Sequence, residues 1–233
     1  MSDWTPDRCR PLTDVTGAAL RPGGLDLTGH LLSFGNFTPG SRILDAGCGL
    51  GTTLNHLVTT GHPGGIGVDS SLSLLAAARS QAGEAALVCA ELECLPFSAA
   101  SFDGIICECV LAQTAASEVL AEFQRVLCAD GVLLVSDIYR REPDSGYCPA
   151  PDDQLPTRRQ AETMLKDAGF TVEHWEDRTG DLKQLAVRLL MASGTAQADL
   201  CHWLGNGTVR STAAVSGFKT IGYHLIVARR DGA

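Results

Sequence analysis

Apolar residues fall into two alternating registers along the chain. Leu27, Leu31 and Phe34 share one face of a helix-period pattern over 25–37, which Thr38-Pro39-Gly40 breaks. From there short apolar runs alternate with helix-period segments. Strands are expected at 42–45, 65–69, 86–89, 104–107, 131–137, 170–175 and 223–229. Helices are expected at 52–60, with Leu54, Leu57 and Val58 inward, and at 72–81, 115–127 and 157–168. Thr157 is a candidate N-cap and Gly169 a stop for the last of these. Further helices are expected at 180–192 and 196–204, and 142–156 reads as a proline-rich loop. Residues 1–23 read as a polar segment rich in Pro and Gly. Strand–helix alternation of this regularity predicts an α/β fold, a doubly wound and mostly parallel seven-stranded sheet with helical additions. The expected organisation is an N-terminal lid or helix over 1–37 and one domain over 38–233, with a helical insertion at about 177–220.

Composition narrows the class. The 233 residues are 45% hydrophobic and carry a net charge of −9, which excludes a disordered chain. No Lys/Arg block offsets the acids, so a nucleic-acid partner is not expected. No apolar run reaches the length of a bilayer span, and Met1 to Pro6 lacks the pattern of a secretory signal, so the expected location is cytoplasmic. Nine cysteines, an odd number with no Cys-x-x-Cys pair, signal neither a disulfide framework nor a structural metal site. The oligomeric state is not readable.

The chemistry-bearing motif is Asp45-Ala46-Gly47-Cys48-Gly49-Leu50-Gly51, placed between an expected strand and an expected helix. Glycines allow a sharp turn and close approach of a ligand to the backbone, and a helix start offers N–H groups. Two cofactor classes compete for such a loop. A dinucleotide needs Gly-x-Gly-x-x-Gly, whereas the spacing here is Gly47-x-Gly49-x-Gly51. Asp45 would repel a pyrophosphate and attract an ammonium, which suits S-adenosylmethionine better than a nicotinamide cofactor.

In order along the chain, the run from Ile43 to Gly51, Asp69 at a strand end, Glu91-Leu92 followed by Leu95-Pro96-Phe97, Ser101-Phe102-Asp103, Arg125-Val126-Leu127 to Gly131, and Ala168-Gly169-Phe170 resemble class I S-adenosylmethionine-dependent methyltransferases (type 11-like) over 42–176. Asp130 stands where that family usually has Gly, and Glu91 where it usually has Asp. The resemblance implies that Gly47, Cys48 and Gly49 meet the methionine part of the cofactor, with Asp45 near its amino group. Asp69 would take the ribose, Ser70 and Leu72 would flank the adenine, Glu91 and Leu92 would bond its edge, and Glu108 would lie near the methionine end. The expected acceptor is a small molecule.

Candidate bases for an oxygen or nitrogen acceptor are Asp137 and Tyr139, which follow the fifth expected strand, and His30, His174, His202 and His224. Cys107-Glu108-Cys109 stands where a planar-nitrogen acceptor motif would lie. With Cys148 downstream, this run resembles arsenite methyltransferases, in which thiolates hold the metalloid, and the resemblance implies Cys109 and Cys148 as those ligands. Cys9 and Cys201 would be further candidates. A non-catalytic, cofactor-binding partner subunit is the alternative from another class.

Overall fold

A computed structural model describes residues 5–17, 19–62, 64–83, 85–141, 155–193 and 221–232. Seven strands form one sheet in the order β3-β2-β1-β4-β5-β7-β6. They are β1 (Ile43–Ala46), β2 (Ile66–Asp69), β3 (Ala86–Cys89), β4 (Phe102–Glu108), β5 (Leu127–Arg140), β6 (Phe170–Asp177) and β7 (Ile221–Arg230). Strand β7 runs antiparallel to β5 and β6, and the β3-β2-β1-β4-β5 pairings are parallel.

Alternation along the central strands feeds two cores, one on each face. Ile43, Ile106, Leu134 and Val227 join Leu27 and Leu31 of α2 (Gly24–Ser33), Leu54 and Leu57 of α3 (Thr52–Thr59), and Leu182 of α7 (Thr179–Ser193). Leu44, Ile105, Leu133 and Ile226 join Val119, Leu120, Phe123 and Val126 of α5 (Ala116–Val126) and Leu165 of α6 (Arg158–Asp167). Central strands covered on both faces carry consecutive apolar residues, such as Ile43-Leu44, Ile105-Ile106 and Val132 to Val135, which is why they read as continuous runs. Thr157 caps α6 with a full capping box: its hydroxyl accepts from the Gln160 N–H at 3.3 Å, and Gln160 Oε1 accepts from the Thr157 N–H at 2.8 Å.

Four expectations need correction. The polar N-terminal segment contains α1 (Pro6–Thr16), capped by Thr5 with Pro6 in its first turn. Cys9 and Leu12 of that helix are buried. Strand β5 starts at Leu127 rather than 131, because the backbone bends through Asp130 at φ 59° without leaving the sheet. Asp tolerates the left-handed region better than most residues, which lets it stand where Gly is usual. The helix expected over 72–81 is α4 (Leu72–Ala78), and Val58 of α3 is 36% exposed, off the buried face. The helix expected at 196–204 lies outside the described residues. No helix among the described residues is long and apolar enough to cross a membrane.

Candidate functional site

The chain turns from β1 to β2 and β3 on one side and places β4 on the other, so a crevice opens at the carboxyl ends of β1 and β4. A cleft of about 350 Å³ sits there, walled by Gly47, Gly49, Asp69, Leu74, Glu108 and Val110. Ser70, Ala90, Glu91, Leu92 and Glu93 continue one side of it. Cys109 and residues Gln113 to Ala115 form another part of the wall, and Leu20 of the N-terminal segment adds to it.

The glycine loop takes its shape from positive backbone angles: φ is 77° at Gly47, 50° at Gly49 and 75° at Gly51. A Cβ at Gly47 would lie 2.4 Å from Val110 Cγ2, and one at Gly51 would press on Ala78 and Ala82 at 3.2 Å. Gly49 is different. A Cβ there would meet nothing closer than Leu20 at 4.0 Å, so its bare face borders open cleft. No side chain caps the start of α3, which follows the loop.

Asp69 holds the loop. Its Oδ2 accepts the Gly49 N–H at 2.9 Å and its Oδ1 the Ser71 N–H at 2.8 Å. Burial raises its pKa, and the two N–H groups oppose the rise. Glu108 is more heavily bound. Its side chain is 4% exposed and pairs with Arg21 Nε at 3.0 Å. The hydroxyls of Thr28 and Thr53 lie 3.1 and 3.2 Å from its oxygens. Asp45 lies 3% exposed, and its Oδ2 has no hydrogen-bond partner. Burial, with Glu108 and Asp69 adding to it and Arg21 opposing, pushes the Asp45 carboxyl up to about 8.

The model of the methyltransferase domain family matches residues 44–135. The chain is 34% identical over 169 residues to the uncharacterized methyltransferase YodH of Bacillus subtilis, covering 71% of this chain and 66% of that one. It is 32% identical over 174 residues to the malonyl-[acyl-carrier protein] O-methyltransferase of Herminiimonas arsenicoxydans, covering 69% and 66%. The chain belongs to the class I S-adenosylmethionine-dependent methyltransferases. The alignments thus span just under two thirds of the length of these curated relatives. Solved structures share the fold. The phosphoethanolamine N-methyltransferase 2 of Haemonchus contortus, in complex with S-adenosyl-L-methionine, superposes at TM-score 0.76 with 18% identity, over 99% of this chain and 58% of that one. The [4+2]-cyclase SpnF superposes at 0.75 with 22% identity, over 97% and 94%.

The methyltransferase cleft fits the cofactor on two observations of this chain: the open face at Gly49, and the buried, partnerless oxygen of Asp45. An ammonium is the group that such an oxygen lacks. Of the residues expected at the cofactor, Gly47, Gly49, Asp69, Ser70, Glu91, Leu92 and Glu108 line the cleft. Asp45 does not line it, but its electrostatic neighbours Glu108 and Asp69 do.

Two expected cofactor residues are placed elsewhere. Cys48 turns its side chain into the core beside Gly67 and Leu54, which leaves only its backbone in the loop. Leu72 is 71% exposed at the first position of α4, and Leu74 lines the cleft instead.

The catalytic candidates divide. Cys109 lines the cleft, its Sγ 3.2 Å from Tyr223 Oη, and burial raises its thiol pKa well above the usual value. Cys107 is fully buried in the opposite core. Strand β4 ends at Glu108 and Cys109 takes φ 59°, so the two cysteines do not share a face. Asp137 does not line the cleft: its Oδ2 accepts the Ala112 N–H at 2.9 Å and its Oδ1 the Ile138 N–H at 2.7 Å. Burial pushes it up to about 6 against those hydrogen bonds. Tyr139 is 8% exposed and packs its ring against Trp175 and His224, away from the cleft.

His224 is buried and pushed down to about 3 by desolvation, His30 bonds Glu176, and His174 stacks on Phe34. None of these three lines the cleft. Cys9 packs under Leu50 and Leu74. Cys148, Cys201 and His202 lie outside the described residues. Sequence reasoning missed Thr28, Thr53 and Tyr223, and took Arg21 only as part of the N-terminal lid, not as the partner of Glu108. Their side chains meet the site only through tertiary contacts, and no local motif marks them.

Proposed function

We propose that the protein moves the sulfonium-bound methyl group of S-adenosylmethionine to a small-molecule acceptor. The observation that carries this reading is the charge of the cleft. Asp69, Glu91, Glu93 and Glu108 line it, and no Lys, Arg or His does so among the described residues. A pyrophosphate would find no cation there, whereas a ligand bearing an ammonium and a sulfonium would find carboxylates. When bound, the cofactor supplies an electrophilic methyl group for in-line displacement. The chain's own part is to hold the methionine end against Gly47 and Gly49, to grip the ribose with Asp69, and to exclude water with Leu20, Leu74 and Val110.

The arsenite reading rests on Cys109, which lines the cleft, and on Cys148, which lies outside the described residues; Cys107 is buried in the opposite core and offers it no further thiolate.

Calorimetric titration with S-adenosylmethionine, followed by measurement of S-adenosylhomocysteine release with panels of organic acceptors and with arsenite plus glutathione, tests the proposal. Binding followed by acceptor-dependent release is the expected result. Binding with no release from any acceptor would favour the non-catalytic alternative, and failure to bind the cofactor would refute both.

A further inference from the structure

We infer that Arg21 is a positioning residue, which holds Glu108 in its cleft-facing place and thereby makes cofactor binding depend on the N-terminal segment. The inference rests on the cofactor reading above. Three facts support it. Arg21 is 7% exposed, and its guanidinium meets both Glu108 and the Thr28 hydroxyl, with Nε at 3.0 Å from the carboxylate and 2.9 Å from Oγ1. Its neighbour Leu20 lines the cleft, so the same short stretch supplies an apolar wall and the cation behind it. Glycines at φ 74° and 54°, Gly23 and Gly24, turn the chain from this stretch into α2.

Glu108 therefore ties three parts of the molecule together: Arg21 and Thr28 from the N-terminal segment, Thr53 from the helix after the glycine loop, and Ser136 of β5 at 3.5 Å. A carboxylate this buried is costly without a partner, and three hydroxyls do not replace a guanidinium. Without Arg21, Glu108 must move towards water or take up a proton. Either change disturbs the wall opposite Asp69 and the link to Thr53 that braces the loop. Arg21 also lines a second, polar cavity of about 410 Å³ with Gly24, Arg178 and Arg188, which gives a small guanidinium a way in.

The test is the dissociation constant for S-adenosylmethionine, measured calorimetrically on the wild type, Arg21→Ala, Glu108→Gln and the double variant, with thermal melts as the control for folding. Arg21→Ala is expected to bind at least tenfold more weakly, and millimolar ethylguanidinium to restore most of that loss. In the Glu108→Gln background, adding Arg21→Ala should cost less than threefold more, because Arg21 acts through Glu108. Binding by folded Arg21→Ala within twofold of wild type would overturn the inference and leave the cofactor reading standing. So would a further tenfold loss in the Glu108→Gln background, and that second comparison still decides if Arg21→Ala alone does not fold. A wild type that binds no S-adenosylmethionine would overturn the cofactor reading and this inference with it.

Discussion

The carboxyl of Asp45 makes stability fall as pH rises, and replacing it by Asn removes that dependence. In the folded chain the group is 3% exposed, leaves Oδ2 without a partner, and faces Glu108 and Asp69 as well as Arg21, so that it titrates at about 8. In the unfolded chain it titrates near 3.9. Between those values the folded protein keeps a proton that the unfolded chain has released, so this group's contribution is fully present below about pH 4 and is lost progressively up to about pH 8. The slope is about 1.4 kcal/mol per pH unit, or about 2.7 kcal/mol between pH 5 and 7. Asp45→Asn carries a neutral amide in both states and does not pay it. Urea unfolding of both proteins at pH 5, 6 and 7 should therefore show the variant gaining on the wild type by about that amount, with titrations common to both cancelling. A gap that stays constant within about 0.5 kcal/mol over this range, the error of such comparisons, would show that Asp45 is ionised in the fold and refute the reasoning. Saturating S-adenosylmethionine should flatten the wild-type slope, because a cation beside the carboxyl favours its charged form.

Three further outcomes follow from single contacts. Gly47→Ala places a methyl 2.4 Å from Val110 at φ 77°, and should lower cofactor affinity more than tenfold, read by calorimetry, while costing about 1–2 kcal/mol for the backbone angle alone. Phe123→Ala empties a fully buried site between α5 and the sheet and should cost about 3–5 kcal/mol in urea unfolding. Thr157→Ala breaks the α6 capping box and should cost about 1 kcal/mol, with cofactor affinity unchanged because the helix start lies away from the cleft.

What could be read from the sequence was what is local. The glycine loop and the Thr157 cap are set by neighbours in the chain, and Ile43-Leu44 beside Ile105-Ile106 announces strands buried on both faces. The first helix was also written locally, as Thr5-Pro6 ahead of Cys9 and Leu12 on one face, but its prolines and polar residues conceal that spacing. The wall of the site was not readable in the same way. Thr28 and Glu108 are 80 positions apart, and only the packing of α2 against the sheet brings them together. The cysteines misled for a third reason. Cys107 and Cys109 have the same parity, so a continuing strand would put them on one face, and the left-handed turn at Cys109 separates them.

The fold by itself does not decide between the functions open to this chain. A [4+2]-cyclase and a phosphoethanolamine N-methyltransferase superpose on it about equally well, at TM-scores of 0.75 and 0.76. What bears on the proposed function is the balance of charge at the carboxyl ends of β1, β2 and β4. Asp45 lies buried there, with Glu108 and Asp69 adding to the effect of burial and Arg21 opposing it, so its carboxyl keeps its proton up to about pH 8. A folded protein seldom leaves a buried oxygen without a partner, so the Asp45 oxygen calls for an explanation. Arg21 pairs with Glu108, and under the proposed function an ammonium in the cleft would act on the Asp45 carboxyl from beside it, favouring its charged form. Under the proposed function, that surplus of acid, rather than the strand order shared with the cyclase, is what suits the cleft to a cationic ligand such as S-adenosylmethionine.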